Sequence, residues 1–144
     1  MPVGGLFASE LFQHGRGDAT VFIPTVETVR PIGRVVSLII PGAELAVARH
    51  HGSPSDIDLT YGELGAYVMK HEISVDGPLR ENYLRGTTET ADTGEWDTEI
   101  GWPIFRTTAA GNEPRPSRGA AALQTRPRRS ALSLVVTRTH THSA

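Results

Sequence analysis

Read for the spacing of its apolar residues, the chain divides into short segments separated by turn residues. Gly33 to Ile40 is β-branched and apolar, Pro41-Gly42 breaks it, and Glu44 to His50 alternates as the next strand. Then the period changes. From Ser53 to His71 the apolar residues Ile57, Tyr61, Leu64 and Val68 recur at i, i+4, i+7 and i+11, one stripe of an amphipathic helix. Ser53 supplies an N-cap, Pro54 suits the first helical position, Asp56 puts an acid in the first turn, and Lys70 and His71 suit the negative end of the dipole. After the helix, Asp76-Gly77-Pro78 predicts a turn, Leu79 to Arg85 a strand, Gly86 to Gly94 a polar loop, and Trp96 to Phe105 a last strand. Pro103 predicts that the end of that strand lies at a sheet edge. Upstream, Leu6 to Gln13 and Ala19 to Pro24 flank His14-Gly15-Arg16-Gly17-Asp18 and predict a β-hairpin, with the Arg-Gly-Asp tripeptide read as part of its turn.

From Gly33 onward the order is strand, tight turn, strand, helix, strand, loop, strand. A helix laid on one face of an antiparallel sheet makes an α+β fold. Residue parity sorts the faces. In the last strand Thr98, Ile100, Trp102 and Ile104 share one side and should meet the helix. Asp97, Glu99, Gly101 and Pro103 share the other. Glu99 then projects onto the far face beside Gly101, where a missing side chain leaves room for a ligand to approach the backbone. In the partner strand Leu79, Glu81, Tyr83 and Arg85 share a side. If that is the side of Glu99, an aromatic wall and a carboxylate meet in one place, suited to a cationic or polarised aromatic molecule. A strand glutamate is also commonly solvated or paired with a neighbour such as Arg85. Trp102 reads as core.

Charge divides the chain. The sequence carries 14 Lys+Arg and 16 Asp+Glu for a net charge of −2. Counted by segment, residues 1–106 sum to −7 and residues 107–144 to +5. The segment from Thr107 lacks aromatic residues, is rich in Pro, Ala, Ser, Thr and Arg, and reads as a disordered basic tail. Within it only Ser130 to Thr137 has strand character, with no obvious partner. His140 and His142 alternate with Thr and are a weak metal signal. With no cysteine there is no disulfide scaffold, thiol nucleophile or Cys-ligated metal site. No apolar run approaches the roughly 18 residues of a membrane span, and a cytoplasmic protein is expected. His50 and His51 point to opposite faces of a strand and do not readily share an ion. A Ser53, His50, Asp56 arrangement has no specific support, and no phosphate-binding glycine loop has the right setting.

The run Ala48-Arg49-His50-His51-Gly52-Ser53-Pro54, a helix containing Tyr61-Gly62-Glu63-Leu64, then Gly77-Pro78-Leu79-Arg80-Glu81-Asn82-Tyr83-Leu84, and finally Asp97-Thr98-Glu99-Ile100-Gly101-Trp102-Pro103-Ile104 together resemble the GyrI-like effector-binding family. Val21-Phe22-Ile23-Pro24 looks like the end of the first half of that domain. The resemblance implies two pseudo-symmetric strand–helix–strand–strand repeats around a cavity with aromatic walls and a central acid. It assigns that acid to Glu99 and a pocket aromatic to Tyr83, with Glu81 and Gly101 beside them. It divides the chain into 1–32, a hairpin from an incomplete first repeat whose opening strand and helix are absent, 33–106, a complete second repeat, and the tail 107–144. Three roles follow as expectations: binding of a hydrophobic, aromatic or cationic small molecule in effector sensing or drug sequestration, hydrolysis of cyclopropane-bearing genotoxins with Glu99 catalytic, or inhibition of a nucleic-acid enzyme in the manner of a DNA gyrase inhibitor. No cofactor or metal is expected, no membrane contact, and no direct DNA binding by the body. A second copy covering the open face is a possible partner.

Overall fold

Ser53 begins the helix that the periodicity predicts. Its hydroxyl accepts the Ser55 amide, a 3-10 turn at Pro54–Asp56 follows, and α2 runs over Ile57–His71. Tyr61, Leu64, Gly65 and Val68 of this helix are buried. Tyr61, Leu64 and Val68 lie on the apolar face of a sheet and form one core with Ala46, Ala48, Leu79, Ile100 and Ile104, against which Ile57, Tyr67 and Trp102 pack. Each fully buried aliphatic side chain there contributes about 1.5–3 kcal/mol. The face assignment of Ile100, Trp102 and Ile104 toward the helix therefore holds.

The structure, a computed structural model, describes residues 2–71, 73–105, 126–127 and 133–142. Among these residues the strands are β1 (Gly4–Phe7), β2 (Arg16–Pro24), β3 (Val35–Ile39), β4 (Glu44–His51), β5 (Ile73–Ser74), β6 (Leu79–Arg85), β7 (Asp97–Phe105), β8 (Arg126–Pro127) and β9 (Ser133–His142). The sheet order is β3-β9-β2-β1-β6-β7-β4-β8, with β5 paired to the end of β7. Every described pairing is antiparallel. With α2 on one face, the α+β class expected from the sequence is the class observed.

Three local expectations are corrected. Residues 9–14 are not strand. β1 and β2 pair as hairpin arms, but Ser9–His14 between them forms the short helix α1. It is closed by Gly15 at φ 66°, a left-handed C-terminal position that a glycine adopts without steric penalty. Arg16-Gly17-Asp18 consequently opens β2 and is not a turn. Pro103 is not at an edge. β7 lies between β6 and β4, with Leu45 opposite Pro103 on one side. On the other side β6 pairs with β7 only as far as Gly101 and β5 pairs from Ile104 onward, so the proline falls between two partner strands, its carbonyl accepting from the Val75 amide. Finally, the stretch Ser130 to Thr137 overlaps β9, which has partners in both β2 and β3. Apart from Arg126–Pro127 and β9, the tail read as disordered lies outside the described residues.

The opposite face of the sheet carries a smaller cluster of Phe22, Ile40 and Leu6. Neighbours in sequence are here far apart in the sheet: β3 stands near one end and β4 near the other, although only Ile40 to Ala43 separates them. That connection crosses the second face, where the Pro41 carbonyl accepts from the Arg80 guanidinium at 2.9 Å.

Leu64 is 1% exposed and Leu59, on the same helix, 68%. Leu64→Ala should lower the unfolding free energy by about 2–5 kcal/mol through lost transfer energy and a residual cavity. Leu59→Ala should stay within about 0.5 kcal/mol. Urea unfolding of both variants checks the contrast.

Candidate functional site

The register of β6 on β7 decides which candidate residues meet. Glu81 lies opposite Ile100, Asn82 opposite Glu99 and Tyr83 opposite Thr98. Glu81 and Tyr83 therefore stand on the helix-facing side, and Glu99 with Gly101 on the other. The aromatic and the acid expected to share one cavity are placed on opposite faces.

On the second face, Asn82 is buried and its amide donates to Glu99 Oε1 at 3.0 Å. Glu99 is half-buried. The room expected above Gly101 is occupied, since a Cβ built there would lie 2.9 Å from Leu45 Cδ1. Arg85 pairs with Glu95 at 2.6 Å, not with Glu99. At the outer end of this face Arg49 and His51 both approach Asp97.

On the helix-facing side a different carboxylate becomes central. Glu81 is buried, and Tyr61 of α2 donates its phenolic proton to Glu81 Oε1 at 2.6 Å. The Tyr83 side chain shares this side of the sheet two residues along the same strand, in the electrostatic reach of Glu81. Burial, followed by the nearby negative charge of Glu81, drives both phenols far above their ordinary value of 10.0. Both tyrosines thus keep their protons, and Tyr61 is the donor to the Glu81 carboxylate. Phe12 of α1 lies over Tyr61, with ring centroids 4.8 Å apart and planes inclined by 44°. Phe12 is 48% exposed, so the outer side of this aromatic pair faces solvent.

Gly5 faces Glu81 across the β1–β6 ladder. A Cβ at Gly5 would sit 2.5 Å from the Phe7 ring and 3.3 Å from the Tyr83 hydroxyl. The absence of a side chain is what lets Phe7 and Tyr83 occupy the space over this part of the sheet. Among the described residues Glu81 makes no ion pair. A buried carboxyl that meets a hydroxyl and no cation is costly to charge in a low-dielectric setting. The arrangement can accept a positive group, or a hydrogen-bond donor, between aromatic walls.

Tyr61 and Phe12 escaped the sequence reading of the site. Tyr61 lies on the apolar stripe, which predicts core; the available signal is its hydroxyl, which needs a partner when buried. Phe12 was hidden by the strand reading of residues 9–14. His50 is buried with both ring nitrogens engaged, Nδ1 with Thr60 Oγ1 at 2.9 Å and Nε2 with the Ser53 carbonyl at 2.8 Å. It ties β4 to the start of α2 and leaves no lone pair for a metal. No group of three or more His, Asp or Glu among the described residues is arranged to hold a metal ion. No described helix is long and apolar enough to cross a membrane.

The family model of the GyrI-like small molecule binding domain matches residues 7–104, about two thirds of the chain. No curated protein and no solved structure matches it.

Because Tyr61 and Tyr83 keep their protons in the fold well beyond the value at which the unfolded chain releases them, alkali favours unfolding. The sign follows from the raised folded values: this contribution to stability is fully present below about pH 10 and declines as pH rises above it. Urea midpoints should therefore fall between pH 9 and about pH 11, and Tyr61→Phe should flatten that fall while Leu59→Ala leaves it unaltered.

Proposed function

We propose, from the premise that this chain belongs to the GyrI-like family of small-molecule-binding domains, that its ligand is an aromatic or hydrophobic molecule carrying a positive charge. We place Glu81 as the counter-ion and Tyr61, Tyr83 and Phe12 as the walls. The observation that carries this reading is the buried Glu81 carboxylate, held by the Tyr61 hydroxyl at 2.6 Å and with no cation paired to it among the described residues. A ligand cation supplies the missing charge, and the tyrosine faces add cation–π attraction of about 0.5–2 kcal/mol. Sensing of an effector and sequestration of a drug both begin with this binding step.

Glu99 offers a second placement. Its carboxylate accepts from Asn82 and leaves one oxygen for another donor, on the opposite face of the sheet. A ligand there would meet Asn82 and the Phe22, Ile40 and Leu6 cluster in place of the tyrosines.

The two placements separate in a titration with an aromatic quaternary ammonium, such as benzyltrimethylammonium, and its neutral carbon isostere. Glu81→Gln should weaken the cation by about tenfold or more, equivalent to about 1.4 kcal/mol, and change the isostere little. Glu99→Gln should leave both within about twofold. Weakening by Glu99→Gln alone moves the site to the second face. A cation bound equally by wild type and Glu81→Gln sinks the counter-ion assignment.

A further inference from the structure

The sheet has a symmetry about its middle. β1 and β6 pair antiparallel at the centre, from Gly4↔Asn82 to Phe7↔Leu79. Outward from β6 come β7 and then β4, and outward from β1 come β2 and then β9. Each half is a hairpin with a third strand laid antiparallel along the hairpin's outer arm. The registers agree as well. Gly5 and Glu81 face one another across the centre, Gly5 pairs outward with Val21, and Glu81 pairs outward with Ile100. Three positions on from each partner stands a proline, Pro24 in β2 and Pro103 in β7. A twofold axis through the Gly5 and Glu81 pair thus relates β1 to β6, β2 to β7 and β9 to β4.

The halves differ in where the third strand comes from. β4 immediately precedes α2 and its own hairpin, whereas β9 is drawn from far downstream of β7, beyond the residues 7–104 that resemble the family. We propose that Ser133–His142 is a built-in donor strand, which completes the first half of the domain by taking beside β2 the place that β4 takes beside β7.

The backbone ladder supports this role. β2 and β9 share nine consecutive pairs, from Arg16↔His142 to Pro24↔Leu134, more than β4 and β7 share. The outer edge of β2 is a row of backbone donors and acceptors that require partners, and an unpartnered edge recruits strands indiscriminately. The run Leu134-Val135-Val136-Thr137 has the β-branched composition that suits a central strand. β9 also makes five pairs with β3, whose pairing among the described residues otherwise consists of one isolated bridge between Ile32 and Val35. The donor strand therefore joins β3 to the sheet and backs β2, which in turn pairs with the β1 strand that carries Gly5 and Phe7.

Hydrogen exchange on the full chain tests the proposal, with wild type and Val136→Pro measured side by side. Val136 pairs with Phe22 on one side and Val36 on the other, so proline there removes a ladder bond whichever strand receives it. In wild type the amides of 134–142 and of 17–23 should exchange at least about tenfold slower than an unstructured peptide, equally at two protein concentrations. In Val136→Pro protection over 17–23 and 35–39 should fall about tenfold or more, while α2 and β7 keep theirs. Free-peptide exchange of 134–142 in wild type overturns the proposal, and that measurement decides alone should the variant fail to fold. So does a folded Val136→Pro protein with unchanged protection over 17–23. Protection of 17–23 that rises with protein concentration also overturns it, because the strand would then come from a second copy.

Discussion

Side chains alternate along a strand, so the register in which β6 meets β7 settles two questions together: what the helix buries and which acid faces the aromatics. With Glu81 opposite Ile100, the carboxylate shares a face with the core of Leu64, Val68 and Ile104. A slip of one residue would exchange the faces, sending Glu81 and Tyr83 away from α2 and bringing Asn82 against it. Leu79 is fully committed to the core at the same register, so the apolar burial that stabilises the domain also fixes the polar site. The site has no independent means of choosing its geometry.

That dependence explains how a buried carboxylate is tolerated. A helix that brought only aliphatic side chains to Glu81 would leave an acid without partners. α2 brings Tyr61, whose ring belongs to the core and whose hydroxyl reaches Glu81. Tyr83, two residues along the same strand, adds a second aromatic ring on that face. One tyrosine is thus both a packing residue and a hydrogen-bond donor, and His50 reinforces the same junction by holding the start of α2 to β4.

Elements with a strong period were legible in the sequence. The Ile57, Tyr61, Leu64, Val68 stripe and the Ser53 cap described α2 closely, and the alternation of Thr98, Ile100, Trp102 and Ile104 described the buried side of β7. Parity within one strand, however, carries no information on how two strands are aligned. The pairing of Glu99 with Tyr83 rested on an alignment that the β6–β7 register does not have. Residues 9–14 failed for a different reason: a helix of under two turns is too short to show a period, and only Gly15 marked its end. The neighbours of β9 are remote in sequence, so its partners were invisible to any local reading.

The seam between β1 and β6 has a further meaning. A Cβ at Gly4 would lie 2.2 Å from the Glu81 carbonyl and 2.6 Å from the Phe22 ring, just as one at Gly5 would strike Phe7. A side chain at Gly4 would strike main chain, and one at Gly5 would have to displace the Phe7 ring, so two successive residues on opposite faces of one strand are left bare. The floor beneath Tyr83 and the packing beneath Phe22 are both made of bare backbone, separated by the thickness of a single strand. The two faces of the domain consequently share one thin partition, and at Gly4 and Gly5 only main chain stands between the side of Glu81 and the side of Phe22.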